Sequence, residues 1–148
     1  MTLVDALRDP RTLLGPWVFE RVITDRLADE VIEVSGTLTL SEEQGGRVRW
    51  AEAGVMRRGS AQLEVFRTLF VVEREDGWLV TFDDGRDFHP WSPGAEVVHL
   101  CGEDTYAGLV EATGLGEPAG GAGRRWQVTW RVSGPRKDYL MVTRLTSA

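Results

Sequence analysis

Two Asp-Gly pairs, Asp76-Gly77 and Asp84-Gly85, lie eight residues apart, and that spacing decides what kind of fold the chain can adopt. Asp-Gly between apolar runs marks a hairpin turn, because such turns require positive φ. The segment between the pairs, Trp78 to Phe82, has room for one strand and none for a helical crossover. Its neighbours are therefore antiparallel. Upstream, Gln62 to Glu73 carries Leu63, Val65, Phe66, Leu69, Phe70, Val71 and Val72. That β-branched and aromatic content leaves little room for helix. Downstream, Arg86-Asp87-Phe88-His89 begins the next strand. The middle of the chain is a meander.

The same reading extends outward. Strands are expected over Trp17 to Thr24, Ile32 to Leu40, Arg47 to Met56, Val97 to Gly102, Asp104 to Ala112, Arg125 to Ser133 and Asp138 to Thr146. About nine or ten short strands with almost no helix describe an all-β up-and-down barrel or a sandwich. The turns favour the barrel, with the first strand pairing the last to remove the sheet edges. Thr2 to Arg8 reads as a short helix, ended by Asp9-Pro10 and packed on the barrel as a lid or plug. Trp17 is expected to fill the closed end, with Arg144 of the last strand lying over it. Gly114 to Gly123 reads as a flexible loop beside the mouth, without phosphate-loop spacing.

At 148 residues the chain makes one domain, 1–148. No apolar run is long enough to cross a bilayer, and Met1 to Leu14 lacks the features of a signal peptide. Cys101 is the single cysteine, which suits a reducing, cytoplasmic compartment. A net charge of −6 without basic blocks argues against nucleic acid and anionic membrane as partners. A small molecule is the expected partner, no cofactor is expected, and a homodimer is left open.

Several polar residues fall on strands where a barrel interior would meet them. Arg21 shares a face with Trp17, Phe19 and Ile23, and Arg67 shares one with Leu63, Val65, Leu69 and Val71. An inward arginine needs a carboxylate, carbonyls or an anionic ligand group. His99 and Cys101 share a face, and with His89 they have donor types that suit zinc or copper. A core cysteine and a hydrogen-bonded histidine are the preferred reading, so no metal is assigned. Asp87 and His89 form either a carboxylate-oriented base or an exposed pair. Lys137 and Tyr139 are two apart after a Gly-Pro turn, where they stabilise developing negative charge or simply close the barrel. Thr129 and Trp130 lie on the penultimate strand, and Tyr106 on an earlier one. Together these groups are more than a dry core accommodates unless they meet one another or a ligand.

Four stretches and Arg144 carry a resemblance. Gly15-Pro16-Trp17 and Arg144 are similar to the opening and final strand of lipocalins. Asp84-Gly85-Arg86 with Phe88-His89, His99-x-Cys101-x-x-Asp104-x-Tyr106, and Trp130-x-Val132-x-Gly134-Pro135-x-Lys137-Asp138-Tyr139 together resemble a family of small bacterial lipocalin-like proteins of unknown function. The resemblance implies a calycin-type barrel and brings no established activity.

Two functions follow as expectations. One is a binding barrel for a small, mainly apolar molecule bearing a carbonyl, carboxylate or phenol, held by Arg21, Arg67, Cys101, Thr129, Trp130 and Lys137. The other is a cofactor-independent cyclase, isomerase or dehydratase in the same cavity. There His99 or His89 would be the base, and Tyr106, Tyr139 or Arg67 the oxyanion donor.

Overall fold

The structure, a computed structural model, describes residues 7–114 and 123–148. They form ten antiparallel strands: β1 (Gly15–Asp25), β2 (Glu30–Glu42), β3 (Val48–Arg58), β4 (Ala61–Arg74), β5 (Gly77–Phe82), β6 (Asp87–Pro90), β7 (Val97–Cys101), β8 (Asp104–Gly114), β9 (Arg125–Gly134) and β10 (Lys137–Ser147). The hydrogen-bonded order is β6-β5-β4-β3-β2-β1-β10-β9-β8-β7. Every strand thus pairs with its neighbour in sequence except across the β6/β7 break. The first strand closes on the last, from Trp17 opposite Ser147 to Asp25 opposite Tyr139. The result is the nearly closed barrel that the hairpin turns imply.

Alternation sets what faces inward. On β1, Trp17, Phe19 and Arg21 are buried while Val18 and Glu20 are exposed. On β9, Trp126, Val128, Trp130 and Val132 are buried. Close approach of strands also shapes the wall. A Cβ at Gly36 would strike the Ala53 carbonyl across the β2–β3 ladder, so only glycine fits at this bend.

The closed end is built from four indoles. The Trp126 ring meets Trp50 at 5.7 Å, Trp17 at 5.8 Å and Trp91 at 6.2 Å, each edge to face. Such contacts contribute about 0.5–1.5 kcal/mol apiece beyond the area they bury. Trp17 Nε1 donates to the Leu13 carbonyl at 2.7 Å, and Trp91 Nε1 to that of Leu7 at 2.8 Å. The guanidinium over Trp17 is that of Arg124, at 5.5 Å, which also donates to the Thr12 carbonyl. Arg144 does not take this part. It follows buried Thr143 in the strand alternation and is exposed on the outer face. The described helical turn is a 3-10 helix, Pro10–Leu13, capped by the Asp9 side chain. Residues 2–6 of the expected helix, and 115–122 of the expected loop, lie outside the described residues. No described helix is long and apolar enough to cross a membrane.

Between β6 and β7 aromatic rings take the place of a backbone ladder. Phe88 of β6 stacks on Trp130 of β9 at 5.3 Å and on Phe82 of β5 at 4.5 Å. Its edge meets His99 of β7 at 5.3 Å.

Candidate functional site

Three strands place a charged cluster in the barrel interior. Arg21 on β1, Glu52 on β3 and Arg67 on β4 all take inward positions. Arg21 grips Glu52 through two bonds, Nη1 to Oε1 at 3.1 Å and Nη2 to Oε2 at 3.0 Å. Arg67 Nη2 and Trp50 Nε1 add 2.8 and 2.9 Å bonds to Oε2. Arg21 Nε donates to the Thr143 hydroxyl at 2.8 Å. Burial alone would push the Glu52 carboxyl up, but the Arg67 and Arg21 charges outweigh it and hold it at about 2. Arg67 Nε is buried and has no hydrogen-bond partner among the described residues.

Glu52 is the cavity-lining residue that sequence reasoning missed. The signal was present. Two inward arginines require a carboxylate, and Glu52 follows the inward Trp50 by two residues on one strand.

The cluster sits where two spaces meet. A deep chamber of about 20 Å³ is lined by Trp50, Phe88, His89, Trp91 and Trp130 among others. That is room for about one water. A wider mouth of about 220 Å³ is lined by Phe19, Ile23, Val34, Met56, Val65 and Glu52 among others. Arg21, Arg67 and Met141 line both. The cavity is therefore apolar along its walls and cationic at its neck. Trp130 lies flat in the wall because Gly108 is its cross-strand partner. A Cβ at Gly108 would come within 2.6 Å of the indole.

His89 enters the chamber through a bulge. Val80 pairs with His89 but Thr81 pairs with Asp87, so Phe88 is an extra residue on β6. A bulge re-aims side chains. Phe88 and His89 both line the chamber, and Asp87 turns out, 74% exposed, 3.8 Å from Arg74. This corrects both readings of the pair: Asp87 is not the orienting carboxylate, and buried His89 is not half of an exposed pair. The His89 ring is oriented instead by the Pro90 carbonyl, 2.8 Å from Nδ1. A carbonyl only accepts, so Nδ1 carries the proton and Nε2 is the basic atom. Burial pushes the ring's pKa down to about 4, against the Pro90 bond, and nearby His99 and Arg67 act in the same direction as burial. His89 is neutral at physiological pH.

The remaining residues gather elsewhere or separate. His99 packs against Tyr106, 5.9 Å between ring centres, and against Phe88, and it lines neither space. Lys137 Nζ donates to the Tyr106 hydroxyl at 2.8 Å and lies 3.2 Å from Asp104. Those bonds raise the Lys137 pKa, the Tyr106 one most. Burial, reinforced by Tyr106, raises that of half-buried Tyr139. Lys137 therefore partners Tyr106 across the β8–β9–β10 sheet.

Two further expectations fail on geometry. Cys101 is exposed at the β7–β8 turn, so it is neither a core cysteine nor a cavity residue. Thr129 is next to buried Trp130 on β9 and faces the other way, toward Gln127, so it cannot line the cavity with Trp130. Among the described residues no three His, Cys, Asp or Glu side chains gather as a metal site would require.

Chemically, the neck offers donors to a ligand oxygen and the chamber offers one neutral imidazole. No curated protein matches the sequence. A family model does, over residues 13–147, which is nearly the entire barrel, and the chain therefore belongs to the family of unknown function DUF6314.

Proposed function

We propose that this protein is a lipocalin-like binding barrel for a small, mainly apolar molecule. The ligand's body occupies the mouth between Phe19, Ile23, Val34, Met56 and Val65, and its carbonyl, carboxylate or phenol oxygen meets Arg67 at the neck. One observation carries this reading: an apolar mouth of about 220 Å³ ends on two inward guanidiniums, one of which has a buried, unpartnered N–H. A buried donor left unpaired costs about 1–3 kcal/mol, which a ligand oxygen recovers. A filled core would have no such opening. Native mass spectrometry of the purified protein tests it. The expected result is an adduct released on denaturation, and Met141→Trp, which fills the neck, should remove it. If no adduct is found, and no member of a small apolar library changes the fluorescence of Trp50, Trp91 and Trp130, the reading fails.

His89 supports a second reading, cofactor-independent proton transfer. It is neutral, held by its Nδ1 proton on the Pro90 carbonyl, and it shares the chamber with Arg21 and Arg67. An imidazole base beside guanidinium donors is the pair that carbonyl isomerisation, cyclisation or dehydration requires. Under this reading His89→Asn abolishes turnover and leaves affinity nearly unchanged. Loss of affinity in parallel would make His89 a binding group only.

A further inference from the structure

We infer that the group received at the neck is a single negative charge on an apolar body: a carboxylate, or an oxyanion of enolate or phenolate type. This rests on the binding reading above and narrows it.

Arg21 and Arg67 bring two positive charges to the cavity lining, and Glu52 brings one negative charge. His89 contributes none. Both Glu52 oxygens are already occupied, Oε1 by Arg21 and Oε2 by Arg21, Arg67 and Trp50. Glu52 accepts these four bonds but does not answer Arg67 Nε, which no described residue meets. Arg21 directs Nε to Thr143 and both terminal nitrogens to Glu52, so it is the satisfied partner. Arg67 is the unsatisfied one. Its side chain is 37% exposed and lines both the mouth and the chamber, so an incoming molecule can reach it.

A neutral oxygen would satisfy the Nε–H and leave the excess charge against apolar walls. A monoanion satisfies both, because it adds the Coulomb attraction of opposite charges to the hydrogen bond that a neutral oxygen would also accept. A dianion such as a phosphate monoester overshoots by one charge. It would lie beside the Glu52 carboxylate with nothing further to neutralise it.

Matched ligands test this. Calorimetry at neutral pH compares octanoate with octanol and with octyl phosphate, and 2-naphthoate with 2-naphthalenemethanol. Each carboxylate should bind at least about ten-fold tighter than its alcohol and tighter than the phosphate. Arg67→Gln should erase the preference by weakening the carboxylate alone, and Arg67→Lys, which keeps the charge, should retain most of it. If alcohol and carboxylate bind equally, or the phosphate binds best, this inference falls and the binding reading stands. If no member of either series binds, both fall. Should Arg67→Gln not fold, the wild-type comparison still decides.

Discussion

Arg21 meets Glu52 end-on, through two parallel hydrogen bonds of 3.1 and 3.0 Å between side chains that are 10% and 5% exposed. The pair spans from β1 to β3 and fixes where the arginines sit. Removing one partner of a buried ion pair costs about 3–5 kcal/mol, because the other charge is left without its match. Glu52→Gln should lower unfolding stability by about that much in urea titration, since two guanidiniums then lose one carboxylate. A loss under about 1 kcal/mol would mean the cluster is solvated and the cavity far wetter than described.

Acid should weaken the barrel in two stages. His89 titrates at about 4 in the fold, against 6.5 ordinarily. The unfolded chain takes up that proton first, so stability falls as pH drops from about 6.5 to 4. Glu52 titrates at about 2, against 4.5 ordinarily. Its depressed value gives stability that is complete above about pH 4.5 and is lost as pH falls toward 2. Each stage is on the order of 3 kcal/mol. Thermal melts across this range should show both, and His89→Gln should remove only the upper stage. An unchanged upper stage in that variant would show that another group causes it.

Gly108→Ala should displace the Trp130 indole. The new Cβ would lie 2.6 Å from ring atoms, closer than real contacts allow. Overpacking of this kind costs about 1–3 kcal/mol. The same change should alter the chamber wall, so tryptophan emission and ligand affinity should move together with the melting temperature. Stability and emission matching the wild type would show that the ring shifts freely.

Phe88→Ala should loosen one line in the wall. Phe88 stacks on Phe82 and Trp130 where no backbone ladder joins β6 to β7. Hydrogen exchange should accelerate in β6 and β7 well before β1, β2 and β10, whose amides are paired on both sides. Uniform acceleration in every strand would show that the rings support the barrel globally.

The strands were legible because each is a period-two pattern bounded by Gly, Pro or Asp turns. Arg21 and Arg67 were legible for the same reason, since their faces carry Phe19 and Leu69. What local pattern hides is which partner answers which group. Glu52 required reading three strands at once. Arg124 and Arg144 both lie near the last two strands, and only the register showed Arg124 over Trp17. Strict alternation pairs Asp87 with His89, and one bulged residue at Phe88 undoes that pairing. Cys101 sits on a face that includes His99, but the strand ends there, so the inward environment ends with it. Thr129 and Trp130 are adjacent, and adjacency on a strand already excludes a shared interior.

The place where β1 meets β10 and the ends of the ladder lie apart. Trp17 pairs with Ser147, and the Ala148 amide donates to the Pro16 carbonyl, so the start of β1 and the end of β10 are neighbours. The uninterrupted ladder instead starts at β6 and finishes at β7. A circular permutant with the end of β10 linked back to the segment before β1 and new ends opened in the Ser92–Gly94 turn would keep all nine described strand pairings. The permuted chain would then run in the same order as its sheet, from β7 through β10 and β1 to β6.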